Sequence, residues 1–158
     1  MTLGTRAGSR GYRAERSGTV NSVELTLPPG AVGADVAAPR RARREVRVFL
    51  TDQGLGDRVE DVLLVISELV SNSVLHARAA PELVLRVCSA AESRAAESLV
   101  VEVRDPSPAL PVERAPDLTA RGGRGMRLVS ALADKWGVEV RGAAGKTIWA
   151  EFLAPARG

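Results

Sequence analysis

Apolar residues recur along the chain with two periods, and each period predicts a different kind of element. In NSVELTLPPG, residues 21–30, Val23, Leu25 and Leu27 alternate with Glu24 and Thr26, which predicts a strand stopped by Pro28-Pro29-Gly30. Pro39 then opens a helix through RRARREVRVFLTDQGL, with Val46, Phe49 and Leu50 on its apolar side and Gly54 and Gly56 at its end. A second helix, from about Asp57 to Ala77, carries Val62, Val65, Ile66, Leu69 and Val70. Alternation returns in PELVLRVCSA and in SLVVEVRD, which read as the two strands of a hairpin. The long stretch PSPALPVERAPDLTARGGRG contains Pro106, Pro108, Pro111 and Pro116 and reads as a loop. A helix from Met126 to Lys135 follows, then a strand in WGVEVRG, a turn over Gly142–Gly145 and a closing strand in GKTIWAEFLA. The order β-α-α-β-β-loop-α-β-β predicts a two-layer α/β sandwich of the α+β kind: a mixed, mainly antiparallel sheet with helices on one face. Residues 1–20, rich in Gly, Ser and Arg without periodicity, read as a flexible basic tail, and residues 21–158 as a single domain.

One detail of the second helix does not suit a core. Glu68, Asn72 and His76 follow one another at intervals of four residues, so they form a polar ridge along one face. Asp57 and Asp61 lie near the helix start, where the macrodipole favours negative charge. A buried carboxylate and amide without partners cost several kcal/mol. The ridge therefore predicts something polar opposite it, from the protein or from a ligand.

Composition narrows the classes. With 158 residues, 45% hydrophobic and 26% charged, the chain suits one soluble domain with a core that is aliphatic, since aromatics make up only 3%. One cysteine, Cys88, excludes an internal disulfide, and one histidine beside it leaves no His/Cys zinc set. No apolar run is long enough to span a membrane, and the N-terminus has no apolar core of a secretory signal, so a cytoplasmic location is expected. The net charge of +3 is almost all arginine, clustered at Arg40, Arg41, Arg43, Arg44 and Arg47. That cluster reads as the solvated face of an amphipathic helix, the alternative being a basic patch for nucleic acid or an acidic partner. Direct nucleic-acid binding is not expected, because no helix-turn-helix, zinc finger or aromatic RNA platform accompanies it.

The candidate chemistry lies in three further places. Asp105 ends a strand and enters the proline-rich loop, a common position for a pocket-facing carboxylate, although Asp before Pro106 also reads as a turn starter. GGRGMRLV opens a helix: Gly122, Gly123 and Gly125 let backbone N–H groups approach a ligand, and Arg121 and Arg124 add positive charge near a helix N-terminus that favours phosphate. GKTIW is not a phosphate-binding P-loop, because it enters a strand rather than a helix. No Ser-His-Asp relay is convincing, and His76 reads as structural.

Taken in order, SELVSNSVLHA, VEVRDPSP, GGRGMRLVSALADKWGV and GKTIWAEF resemble the GHKL ATPase superfamily with its Bergerat ATP-binding fold, over about Val23 to Phe152. Within it they resemble the single-domain anti-sigma-factor serine kinases, regulatory ATP-binding proteins of actinobacteria. The resemblance implies ATP and Mg²⁺ as cofactors. It implies that Asn72 ligates the Mg²⁺ and that Glu68 acts as general base. Asp105 would accept from the adenine amino group, Gly123 and Gly125 would wrap the phosphates with Arg121, Arg124 and Met126 beside them, and Thr147 would support the adenine end. Asp105-Pro106-Ser107-Pro108 departs from the family's Asp-x-Gly-x-Gly pattern. The implied function is an anti-sigma factor with serine/threonine kinase activity toward an anti-anti-sigma antagonist of the STAS type, acting on a sigma factor as a homodimer. The alternative is a non-catalytic ATP-binding or ATP-independent partner-binding module.

Overall fold

Leu25, Leu85, Val101 and Ala150 stand side by side on four neighbouring strands, all fully buried. They mark the inner face of one sheet. The structure is a computed structural model, and it describes residues 11–17, 20–90, 96–107 and 124–154. The strands are β1 Gly11–Ser17, β2 Val20–Leu27, β3 Glu82–Ala90, β4 Ser98–Asp105, β5 Lys135–Val140 and β6 Lys146–Leu153. They form one sheet in the order β1-β2-β3-β4-β6-β5, and every pairing among them is antiparallel. The helices are α1 Pro29–Val32, α2 Ala38–Gln53, α3 Arg58–Asn72 and α4 Arg124–Leu132. The two-layer sandwich expected from the hydrophobic pattern is the fold observed.

Two elements were not foreseen. Residues 11–17, expected in a flexible tail, form β1 and pair along their whole length with β2. GYRAERS lacks a clean apolar alternation; at a sheet edge, backbone pairing to a free neighbouring strand decides the outcome more than propensity does. The Pro28-Pro29-Gly30 stop holds for β2, but Pro29 also starts the short α1, where its fixed φ and missing N–H suit a first helical position. The proline-rich loop lies, from 108 to 123, outside the described residues.

Each helix buries the stripe its sequence announces. α2 packs Ala38, Ala42, Val46, Phe49 and Leu50 inward, and its arginines face outward or sideways. Arg41 donates to Asp35 at 2.6 Å and to the Val32 carbonyl at 2.8 Å, and Arg47 reaches Glu60 of α3 at 2.6 Å. α3 buries Val62, Leu63, Val65, Ile66, Leu69 and Val70. At its start, Arg58 ties three elements together: it donates to the Leu132 carbonyl at the end of α4 and to Asp134, and stacks 5.3 Å from the Phe152 ring centre of β6. The beginning of α3 is thus fixed to the end of α4, and the two helices run in opposite directions.

Candidate functional site

That antiparallel arrangement brings the other ends together. Glu68 and Asn72, one turn apart near the end of α3, are half-buried and face the first turn of α4. A Cβ on Gly125 would lie 3.1 Å from both the Asn72 Nδ2 and the Glu68 Oε2. The polar ridge therefore meets the backbone of a helix N-terminus, whose N–H groups have no intrahelical acceptors. Glycine is the residue that permits this approach. Gly125→Ala gains up to about 1 kcal/mol of helix propensity, yet it crowds both polar side chains. We expect near-unchanged thermal stability and about a tenfold loss of affinity for the ATP that the sequence resemblance implies, measurable by calorimetry; unchanged affinity would place the ligand elsewhere.

Past Asn72 the helix widens into a π-helical turn, Ser73–Ala77, a form frequent at functional sites. It ends at Arg78 in the left-handed region, φ 52°. His76, the third residue of the predicted ridge, lies in this π-helical turn and is exposed, unlike the half-buried Glu68 and Asn72.

A second group of candidate residues lies at strand ends, around a cleft whose described lining does not include Glu68, Asn72 or Gly125. Leu99, Val101, Val103 and Asp105 of β4 alternate inward, so the buried Asp105 lies on the helix side of the sheet. Its register partner is Lys146 of β6, which shares that face with Ile148, Ala150 and Phe152. The Lys146 ammonium donates to Asp105 Oδ2 at 3.5 Å and to the Ser107 carbonyl at 3.1 Å. The Ser107 N–H donates to Asp105 Oδ1 at 2.7 Å, so Asp105 both starts the turn and faces the site. Gly145, at φ +100°, lets β6 begin directly against the Asp105–Pro106 backbone. An open cleft of about 330 Å³ is lined here by Asp105, Pro106, Lys146 and Thr147 together with Pro29, Arg104 and Arg141.

Thr147 lines the same cleft as Asp105. It pairs with Arg104, so it lies on the opposite face from Asp105, buried to 2% exposure with no hydrogen-bond partner for its Oγ1 among the described residues. Strand alternation makes this unavoidable: of two consecutive residues only one can share the Asp105 face. The residue beside Asp105 is Lys146, which motif reading passed over. Met126 is buried at 2% exposure within the hydrophobic core. Arg121, Gly123 and the side chain of Arg124 lie outside the described residues.

An amide and a carboxylate at a glycine-opened helix N-terminus, with a second carboxylate at a strand end across the same face, suit a nucleotide and its metal. A family model for the histidine kinase-like ATPase domain matches residues 32–152. The chain belongs to this family. Membership of the histidine kinase-like ATPase family implies ATP binding, and the residues present fit a magnesium nucleotide: the amide of Asn72 is a hard oxygen donor and Gly125 leaves backbone space beside it. The match covers α2 through all but the last residue of β6, and with them Glu68, Asn72, Asp105, Gly125 and Lys146, whereas β1, β2 and cleft-lining Pro29 of α1 precede it. It is a match to the histidine kinase-like ATPase domain as a whole, without a subgroup. No curated protein matches the chain. Among the described residues no helix is long and apolar enough to cross a membrane.

Proposed function

We propose that this domain binds Mg-ATP between α3, α4 and the Asp105 end of the sheet. It transfers a phosphoryl group to a serine or threonine of a small anti-anti-sigma protein of the STAS type. As a cytoplasmic homodimer it would also hold a sigma factor, so that phosphorylation of the antagonist keeps the sigma factor captive. The observation that carries the reading is the approach of Gly125 to both Glu68 and Asn72, which joins the first and third motifs at one point.

The roles follow from the chemistry of each group. The Asn72 amide oxygen would hold Mg²⁺, a hard cation that keeps several waters and prefers oxygen donors. The first turn of α4 offers backbone N–H groups and the positive end of a dipole to phosphate oxygens. Asp105 accepts from an exocyclic amine of the base. Glu68, rigid on α3, can accept the proton of a substrate hydroxyl that comes within about 3 Å. Phosphoryl transfer asks mainly for such positioning and charge neutralisation.

Glu68→Gln separates binding from transfer. Transfer of labelled phosphate to the cognate antagonist should fall about a hundredfold, while Mg-ATP affinity, read by calorimetry, stays near that of the unaltered protein. Equal transfer by the variant would remove Glu68 from the mechanism. One observation favours a second reading, a non-catalytic partner-binding module: both carboxylate oxygens of Asp105 already have protein partners. Under that reading the unaltered chain either binds Mg-ATP without transferring phosphate or binds none, and still captures its protein partner.

A further inference from the structure

We propose that the open edge of β5 is a docking strand for a second copy of this chain, which pairs with it antiparallel about Gly137 and joins the two sheets into one. The inference deepens the homodimer reading above by naming its surface, and it does not depend on the nucleotide.

β5 ends the sheet, and among the described residues only β6 pairs with it. The ladder between them fixes which backbone groups are already used. The Arg141 N–H donates to the Gly145 carbonyl at 2.8 Å, which makes those two residues a hydrogen-bonded pair. Such pairs recur at every second residue of an antiparallel ladder. Lys135, Gly137 and Glu139 therefore turn their N–H and C=O groups to β6, and Trp136, Val138 and Val140 turn theirs to the open edge. A row of this kind is a ready template for another strand. KWGVEV has no proline to interrupt it.

The side chains select both the partner and the register. A two-fold axis through Gly137 sets Lys135 opposite the partner's Glu139, and Glu139 opposite the partner's Lys135. These are two attractive pairs on the sheet face away from the helices. Both residues are exposed, and the 3.7 Å contact of Glu139 with Arg141 in its own chain lies in solvent. On the helix side, the half-buried Trp136 meets the partner's Val138, again twice. At the centre Gly137 faces the partner's Gly137 in a non-hydrogen-bonded pair, where Cα atoms come within about 4.5 Å of each other. A Cβ on Gly137 would lie 2.8 Å from the Trp149 indole, so that ring already lies across β5 at this point. Glycine thus leaves the joint free for the close approach of a second backbone. An axis one residue further on, at Val138, would use the same backbone groups but set Lys135 against the partner's Arg141. Charge separates the two registers. If Lys135 and Glu139 only kept foreign strands away, opposite signs at these two positions would bring no pairing with a second copy.

Sedimentation equilibrium of the full chain across the micromolar range tests the surface. A pairing this short should give a concentration-dependent dimer. K135E and E139K each put like charges opposite one another at both pairs, and each should raise the dissociation constant about tenfold or more. Mixing the two variants restores two opposite-charge pairs, so a heterodimer should form about as tightly as the unaltered homodimer. A dimer indifferent to both substitutions, or a mixture that does not associate, overturns the inference and leaves the homodimer reading standing. A monomer at every concentration overturns both. Should a variant fail to fold, amide exchange on the unaltered chain decides without any substitution. The Trp136 and Val138 N–H groups should exchange more slowly, by about tenfold, in concentrated than in dilute solution; equal exchange overturns the inference.

Discussion

Gly145→Ala is expected to lower stability by about 4 kcal/mol or more, combining backbone strain with overpacking. Gly145 sits at φ +100° and ψ −143°, a region glycine visits and L side chains rarely do. A Cβ there would enter the shell of the Asp105 carbonyl oxygen and lie 2.6 Å from the Pro106 carbonyl carbon. Both are backbone atoms of the central strand's end, so nothing can rotate aside. Domains of this size have about 5–15 kcal/mol in hand, so most or all of the folded population is at stake. Urea unfolding followed by circular dichroism measures it. A midpoint within error of the unaltered protein would mean that the β4–β6 junction is looser than its geometry implies. By contrast Gly125→Ala meets movable side chains and should leave stability nearly intact.

Asp105→Ala has the second largest expected effect, and it has two parts. Lys146 would be left with its ammonium buried and no counter-charge, and breaking such a pair from one side costs about 3 kcal/mol. Nucleotide affinity should also fall, by about a hundredfold, because the base loses its acceptor. The double variant Asp105→Ala/Lys146→Met removes the stranded charge. It should recover most of the stability and none of the affinity, which a double-mutant cycle in urea together with calorimetry would reveal. If the double variant is as unstable as the single one, the cost lies in the lost Ser107 turn contact instead of the ion pair.

Much of this architecture is legible in the residues themselves. Leu83-Leu85-Val87 and Leu99-Val101-Val103 alternate cleanly because one face of β3 and of β4 is buried and the other, Val84 apart, is only partly covered, and they pair as the hairpin they suggest. α2 and α3 are equally readable, since Phe49, Leu50, Ile66 and Leu69 fall on stripes that only a helix would bring together. β1 was not readable, because its strand state is a property of the free edge of β2. Glu68 and Asn72 stood out as polar residues on an apolar helix, but only tertiary packing could say that Gly125 lies against them. Lys146 is the instructive case. Its neighbour Thr147 drew attention as part of a motif, yet Ile148, Ala150 and Phe152 already set the inward parity of β6, and that parity selects Lys146. Counting back by twos from the apolar residues would have found it.

The position of β6 between β4 and β5 also shapes how the molecule is made. Synthesis delivers β4 and then β5, but neither can use the other, because the strand that joins them comes later. Asp105 and Lys146 are 41 residues apart, so at about 5–20 residues per second the inner edge of β4 stays open for about 2–8 s. During that interval the growing chain exposes an apolar strand with a free row of backbone donors and acceptors. The closing strand that completes the nucleotide site is thus also the one that ends the period of greatest aggregation risk, and chaperone demand should peak in those seconds.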